Sequence, residues 1–191
     1  MKYENINKST IDFINNILLT HKILSPQVYL KMKHTGDLAI QLAENFNLLD
    51  DDFYIASYLS NIGLLSLMNI LEKDNFIHDK EYAQIKRHPI LSAEVVKQLG
   101  FEKASLLIYY HHENPKYLGY FKADNYPIEA NFINIADTFH GCVCQKGFRP
   151  PLTFNEAIEE TLKHYKDTSF ENIHSINEIS NILKKYHSNF F

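Results

Sequence analysis

The sequence predicts an all-α fold of roughly seven to nine helices. Three observations predict it. Apolar residues recur at three- and four-residue spacing along most of the chain, and no stretch shows a convincing strand alternation. Helix-start and helix-stop residues follow one another in order, from Ser25-Pro26 to Ser175 with Glu178. Hydrophobic residues make up 45% of the 191, enough for one core.

Ser9, with Asp12 at the capping-box position, predicts a first helix to about Leu24. Ser25 as N-cap and Pro26 at the first helical position open a second, carrying Tyr29, Met32, Leu38, Leu42 and Phe46. Asp50, Asp51 and Asp52 place negative charge at the start of a third, from Phe53 to about Leu71. That helix is apolar on almost every side and reads as the central one. Asp79 caps a short helix ending near His88, where Pro89 punctuates the chain. Ile90 to Leu99 forms the next, closed by Gly100. Ala104 to Tyr109 reads as a buried helix ending in Tyr110-His111-His112-Glu113. A loop from Asn114 to Tyr126 holds Pro115, Gly119 and four aromatics. Pro127 opens a helix through Asp137, ended by Gly147 and Pro150-Pro151. Thr153 with Glu156, then Ser175 with Glu178, form capping boxes for two last helices.

The bulk numbers exclude several classes. A net charge of -4 argues against a nucleic-acid polymer as partner, since such proteins carry a basic excess. No apolar run reaches about 18 residues, so no membrane span is expected. Residues 1–5 lack the apolar core of a signal peptide, and a cytoplasmic location is expected. Cys142 and Cys144 lie one residue apart, too close for an unstrained disulfide, and are expected as reduced thiols. Ten histidines are many for this length and hint at metal chemistry.

Five candidate ligands fall on four predicted elements: His34, His88, the adjacent His111 and His112, and Asp137. On one continuous helix His111 and His112 would point about 100° apart. One ion can still take both if it lies near the helix surface between them. The alternative is that these histidines are hydrogen-bonded core residues and hold no metal.

Ordered blocks carry a resemblance. Ile85-Lys86-Arg87-His88-Pro89, then Tyr110-His111-His112-Glu113, then Gly119-Tyr120, then Ile135-Ala136-Asp137, resemble the HD-GYP family of HD-domain metal-dependent phosphohydrolases. Phe148-Arg149-Pro150-Pro151-Leu152-Thr153 looks like the family's stretch after its last aspartate, and His34 matches its first histidine. The resemblance covers roughly residues 28 to 185. It implies an HD-domain-like helical bundle over 26–191, with residues 1–25 as an N-terminal helical extension. It also implies a bacterial signalling role and two or three ions that hydrolyse cyclic di-GMP.

The chain departs from that pattern at its centre. The His-Asp pair should follow Tyr58-Leu59, but the chain reads Ser60-Asn61-Ile62-Gly63-Leu64, with Leu64 in place of a lysine. The literal His78-Asp79 pair precedes the wrong helix and reads as an N-cap. Leu30 replaces an acid one turn before His34, Phe121 replaces a proline, and His140 replaces an acid after Asp137.

The resemblance therefore implies a reduced site. One ion is expected to keep only His34 and Asp137, which is thin. Another keeps His88, His111 and His112, a set suited to one divalent transition ion such as iron, manganese, zinc or nickel. Glu113 or Asp137 would be the base if the site is active. Asn61, Gly119, Tyr120, Lys146 and Arg149 are the candidate ligand-binding residues.

Three functions compete. The first is a catalytically impaired signalling module that binds a cyclic dinucleotide or a signalling protein. The second is an active phosphohydrolase on the reduced site. The third is a structural domain that forms a homodimer.

Overall fold

The computed structural model describes residues 5–73, 77–144 and 150–190, and it is all-helical among them. Eleven α-segments occur, and leaving out a four-residue and a five-residue one gives nine. α1 spans Lys8–Leu24, α2 Pro26–Asn45, α3 Asp51–Leu59, α4 Met68–Leu71, α5 Asp79–Ile85 and α6 His88–Gln98. α7 spans Glu102–Tyr109, α8 Ala130–Val143, α9 Phe154–Leu162, α10 Ser169–Ile173 and α11 Ile176–Phe190. A 3-10 helix, η1, covers Ile62–Leu67.

α2, α3 and α8 form the middle of the bundle, and α8 is buried at almost every position. α6 and α7 pack as a pair on α3 and η1, while α9 and α11 close the other side. Ile14 and Leu18 of α1 belong to the same core as Ile179, Leu183 and Tyr186 of α11. That core holds many fully buried large side chains, so its burial is the main source of stability.

Several helix ends follow the sequence signals. Asp50 accepts from the Phe53 N–H at 2.8 Å. Thr153 and Glu156 form a reciprocal capping box, and the Glu178 N–H donates to Ser175 Oγ. Gly100 sits past α6 with φ 91°, a conformation that costs glycine nothing.

Other expectations need correction. α1 begins after Asn7, whose N–H and side chain bind Asp51 and so tie the start of α1 to α3. α6 begins at His88, because Pro89 falls in its first turn, where a missing N–H costs nothing. The capping residue of α5 is His78, whose N–H donates to Glu81 at 3.0 Å. α8 starts at Ala130, after a turn from Pro127. The short α10 had no clear signal. Gly147 lies outside the described residues.

The largest correction concerns residues 53–71. They do not form one helix, because α3 stops at Leu59 and the chain turns at Ser60-Asn61 into η1 and α4. The cause is tertiary. The Gly63 N–H donates to Ser92 Oγ of α6 at 2.8 Å. A Cβ there would lie 2.6 Å from the His88 carbonyl oxygen. The break turns Asn61 off the helical path and leaves it fully buried beside α8. Residues 51–71 are also apolar enough, over enough length, to match a membrane span by composition. Burial in the bundle accounts for that apolarity.

Candidate metal centre

His88, His111 and His112 come from two elements. His88 is the first residue of α6. α7 ends at Tyr109, so His111 and His112 lie in the turn that follows and not on a helix. That corrects the expected divergence of 100°. Freed from helical spacing, both rings turn toward His88, with their own centroids 4.2 Å apart. The three form the candidate metal-holding group found among the described residues, all ligand atoms lying within 4.8 Å of one another.

Hydrogen bonds fix the state of two rings. His88 Nδ1 lies 2.8 Å from the Ile85 carbonyl, and His111 Nδ1 lies 2.6 Å from the Ile108 carbonyl. A carbonyl only accepts, so both Nδ1 atoms carry the hydrogen and both Nε2 atoms are bare. Those two bare nitrogens face one another at 3.2 Å, and His112 Nε2 is also 3.2 Å from His88 Nε2. Two lone pairs opposed at that distance repel unless a cation lies between them. Nitrogens around a tetrahedral ion at about 2.0–2.1 Å lie roughly 3.3 Å apart. The donor set and its spacing therefore fit one ion.

Burial keeps these rings neutral, which is the form that binds metal. His88 is pushed down to about 3 by burial first and by the neighbouring His111 second. His111 is lowered by burial, partly offset by Asp137. His112 is held well below the usual value by burial, then by His111 and His88. Behind the set, Asn134 Nδ2 donates to the His111 carbonyl at 2.8 Å, and the Tyr165 hydroxyl donates to Asn134 at 2.5 Å.

Asp137 sits next to the triad on α8. Its Oδ1 accepts from Asn61 Nδ2 at 2.6 Å and Thr35 Oγ1 at 3.3 Å, and pairs with Lys31 Nζ at 2.7 Å. Lys31 Nζ also donates to the Asp137 backbone carbonyl at 3.0 Å. Oδ2 faces His112 Nε2 at 3.9 Å. Burial would raise this carboxyl, but Lys31 and then His112 overcome it and hold it well below the carboxylate range. Since a carboxylate only accepts, the Asn61 nitrogen faces Asp137 and Asn61 Oδ1 points elsewhere. That oxygen is buried and has no hydrogen-bond partner among the described residues.

Lys31 and Thr35 were not singled out from the sequence. The signal was present: with Val28 and Leu38 they fall at three- and four-residue spacing on one stripe of α2, so a lysine interrupts an otherwise inward face.

The remaining candidates are placed as follows. His34 Nδ1 meets the Tyr186 hydroxyl at 2.9 Å, and its ring stacks on His140 at 5.2 Å. It does not join the triad. Glu113 is fully buried, but its oxygens accept from the Phe121 and Ala123 N–H groups at 2.9 and 2.8 Å. Its carboxylate therefore anchors the aromatic loop, and the expected base role has no geometric support. Gly119 lies against Glu113, where a Cβ would come 2.5 Å from Oε1.

Tyr120 stacks on His112 with centroids 4.2 Å apart, and burial raises its phenol so that it stays neutral. Phe121 stacks on Tyr109, and Tyr126 leans on Tyr110. Most of the aromatic loop thus covers the bundle, leaving Tyr117 exposed. Lys146 and Arg149 lie outside the described residues. Cys142 and Cys144 are not joined in a disulfide, and Cys144 Sγ lies 3.1 Å from His140 Nε2.

A cleft of about 1120 Å³ opens over this site, lined by Lys31, His34, Asn61, His88, His112 and Asp137 among others. No curated protein matches the chain significantly. Residues 20–171 match the HD domain family, a span that holds the triad, Asn61 and Asp137. With its all-helical bundle and a histidine triad able to hold a divalent ion, the chain belongs to the HD domain family of the metal-dependent phosphohydrolase superfamily.

Proposed function

We propose that this chain is a divergent HD-GYP-like signalling module, impaired as a two-ion hydrolase, that binds a nucleotide of the cyclic di-GMP class beside a single ion. The observation that carries the reading is the bond from Asn61 to Asp137. Two-ion phosphodiester hydrolysis needs carboxylate oxygens shared between cations. Here a neutral amide stands beside the Asp137 carboxylate and occupies its Oδ1.

His88, His111 and His112 would hold the ion, whose identity among iron, manganese, zinc and nickel is open to the donor set. When bound, the ion supplies Lewis-acid polarisation of a phosphate oxygen. The chain's own groups do the rest. The Ile85 and Ile108 carbonyls hold two rings with their Nε2 atoms turned toward one another, and Tyr120 covers His112. The cleft has room for a nucleotide-sized ligand.

The unpartnered Asn61 Oδ1 favours a second reading, a working phosphohydrolase on the reduced site, because a buried acceptor aimed away from Asp137 can orient a water or hydroxyl. One experiment separates the two. Purified protein is loaded with Mn²⁺ or Fe²⁺, its metal content is measured, and cyclic di-GMP binding and cleavage are followed. About one ion per chain, with binding and no cleavage, is expected. Turnover would establish the second reading, and absence of both ion and binding would remove the first.

A further inference from the structure

Asp137 joins two different environments. Its Oδ2 faces the triad through His112 at 3.9 Å, and its Oδ1 carries the Lys31 ammonium at 2.7 Å. Lys31 arrives from α2, a different element from the α6 start and the turn after α7 that carry the triad. The contact is held twice, because Nζ also donates to the Asp137 carbonyl. The lysine side chain is only 21% exposed. This is not a solvated surface pair: the cation is seated against a buried carboxylate and lines the cleft.

We propose that the Lys31 ammonium occupies the cation position on Asp137 that a second ion would hold, so that the site takes one ion only and presents Lys31 as its second positive charge toward a phosphate group. The inference rests on the one-ion reading of the triad given above. An ammonium has three N–H donors. Two are used on Asp137, and no partner for the third is recorded among the described residues. A phosphate oxygen in the cleft would satisfy it through a charge-assisted hydrogen bond.

The site then has a divided cation pair, one exchangeable and one tethered. Asn61 fits the same arrangement. Its amide donates to Asp137 Oδ1 alongside Lys31, so that oxygen already has two close partners, and a second carboxylate at position 61 would call for a further cation.

The test uses the full chain with MnCl₂ and inorganic phosphate as probes. Ion content after equilibrium dialysis and phosphate affinity by calorimetry are measured for the wild type, Lys31→Met, and the double variant Lys31→Met/Asn61→Asp. One Mn²⁺ per wild-type chain is expected. Lys31→Met should keep one ion and lose phosphate affinity by about 10-fold or more. The double variant, with two carboxylates and no ammonium, should approach two ions. A wild-type count of two, or unchanged phosphate affinity in Lys31→Met, would overturn the role of Lys31 and leave the triad reading standing. A wild-type count of zero overturns the triad reading and this inference with it. Lys31→Gln, which removes the charge but keeps hydrogen-bond donors toward Asp137, is measured beside it, so that if Lys31→Met misfolds, unchanged phosphate affinity in Lys31→Gln would still overturn the role of Lys31.

Discussion

Asn61 Nδ2 donates to Asp137 Oδ1 at 2.6 Å, and both side chains are buried between α3 and α8. The amide thus neutralises no charge but satisfies an oxygen that an ion would otherwise claim. Asn61→Asp would replace a hydrogen bond by two adjacent buried carboxylates, relieved only in part by Lys31. The metal-free variant should lose about 2–4 kcal/mol. At roughly 2–4 °C per kcal/mol for a chain of this size, its melting temperature should fall by about 5–15 °C. Added Mn²⁺ should recover more of that loss than it adds to the wild type. Thermal melts with and without Mn²⁺ check this; equal metal-free melting temperatures would show that Asp137 does not need the amide.

The triad makes stability depend on pH in a defined direction. His88 is lowered in the folded chain to about 3 from 6.5, so between those values only the unfolded chain binds the proton. Stability therefore rises with pH through that window and levels above about 6.5. His111 and His112, also lowered, act with the same sign. Asp137 does not add to the slope above its usual value of 3.8, because there it is ionised in both states. At pH 5 the His88 share alone is about 2 kcal/mol. Melting temperatures of the metal-free protein from pH 4.5 to 8 should climb and then plateau near pH 7. A flat profile would mean that the imidazoles are not held neutral.

What could be read from the sequence was whatever depends on local chemistry. The Thr153–Glu156 box, the Asp50 cap and the glycine after α6 act within a few residues, and each was readable. The pairing of Asn61 with Asp137 was open to inference because both belong to motif positions. The break at Ser60 was not readable, because it depends on Gly63 meeting Ser92 twenty-nine residues away. Lys31 was missed for a related reason: its partner is 106 residues distant, and a lysine on a helix reads by default as a solvated one. The turning of Glu113 toward the loop was also hidden, since a carboxylate beside two histidines suggests catalysis unless the backbone N–H groups of Phe121 and Ala123 are seen.

Gly119 tests the role of that loop. A methyl group there would lie 2.5 Å from Glu113 Oε1 and 2.6 Å from its Cα, so the backbone and not just a flexible tip must move. Gly119→Ala should cost about 1–3 kcal/mol through overpacking. It should also shift Tyr120 off His112, on which it now stacks at 4.2 Å. Faster modification of His112 by diethyl pyrocarbonate, mapped by mass spectrometry, is the expected signature beside a lowered melting temperature. A lower melting temperature with His112 still protected would show that Glu113 and Tyr120 are not coupled through the loop.

His88 is the hub of the triad, since both other Nε2 atoms lie 3.2 Å from its own. His88→Ala should therefore weaken ion binding at least about 100-fold, more than loss of an outer partner of a ligand would. Its effect on the metal-free fold should be small, within about 1 kcal/mol. The substitution removes one of two opposed lone pairs, and the space it leaves opens to the cleft, where water can enter. The wild type, by contrast, should gain about 2.7 kcal/mol when the ion is present at 100 times its dissociation constant. In melts with and without Zn²⁺ or Mn²⁺, the wild type should shift up by about 5–10 °C and the variant by none. A variant that still shifts would place the ion elsewhere. A variant that is badly destabilised without metal would mean that the three imidazoles are a hydrogen-bonded core and not a metal site.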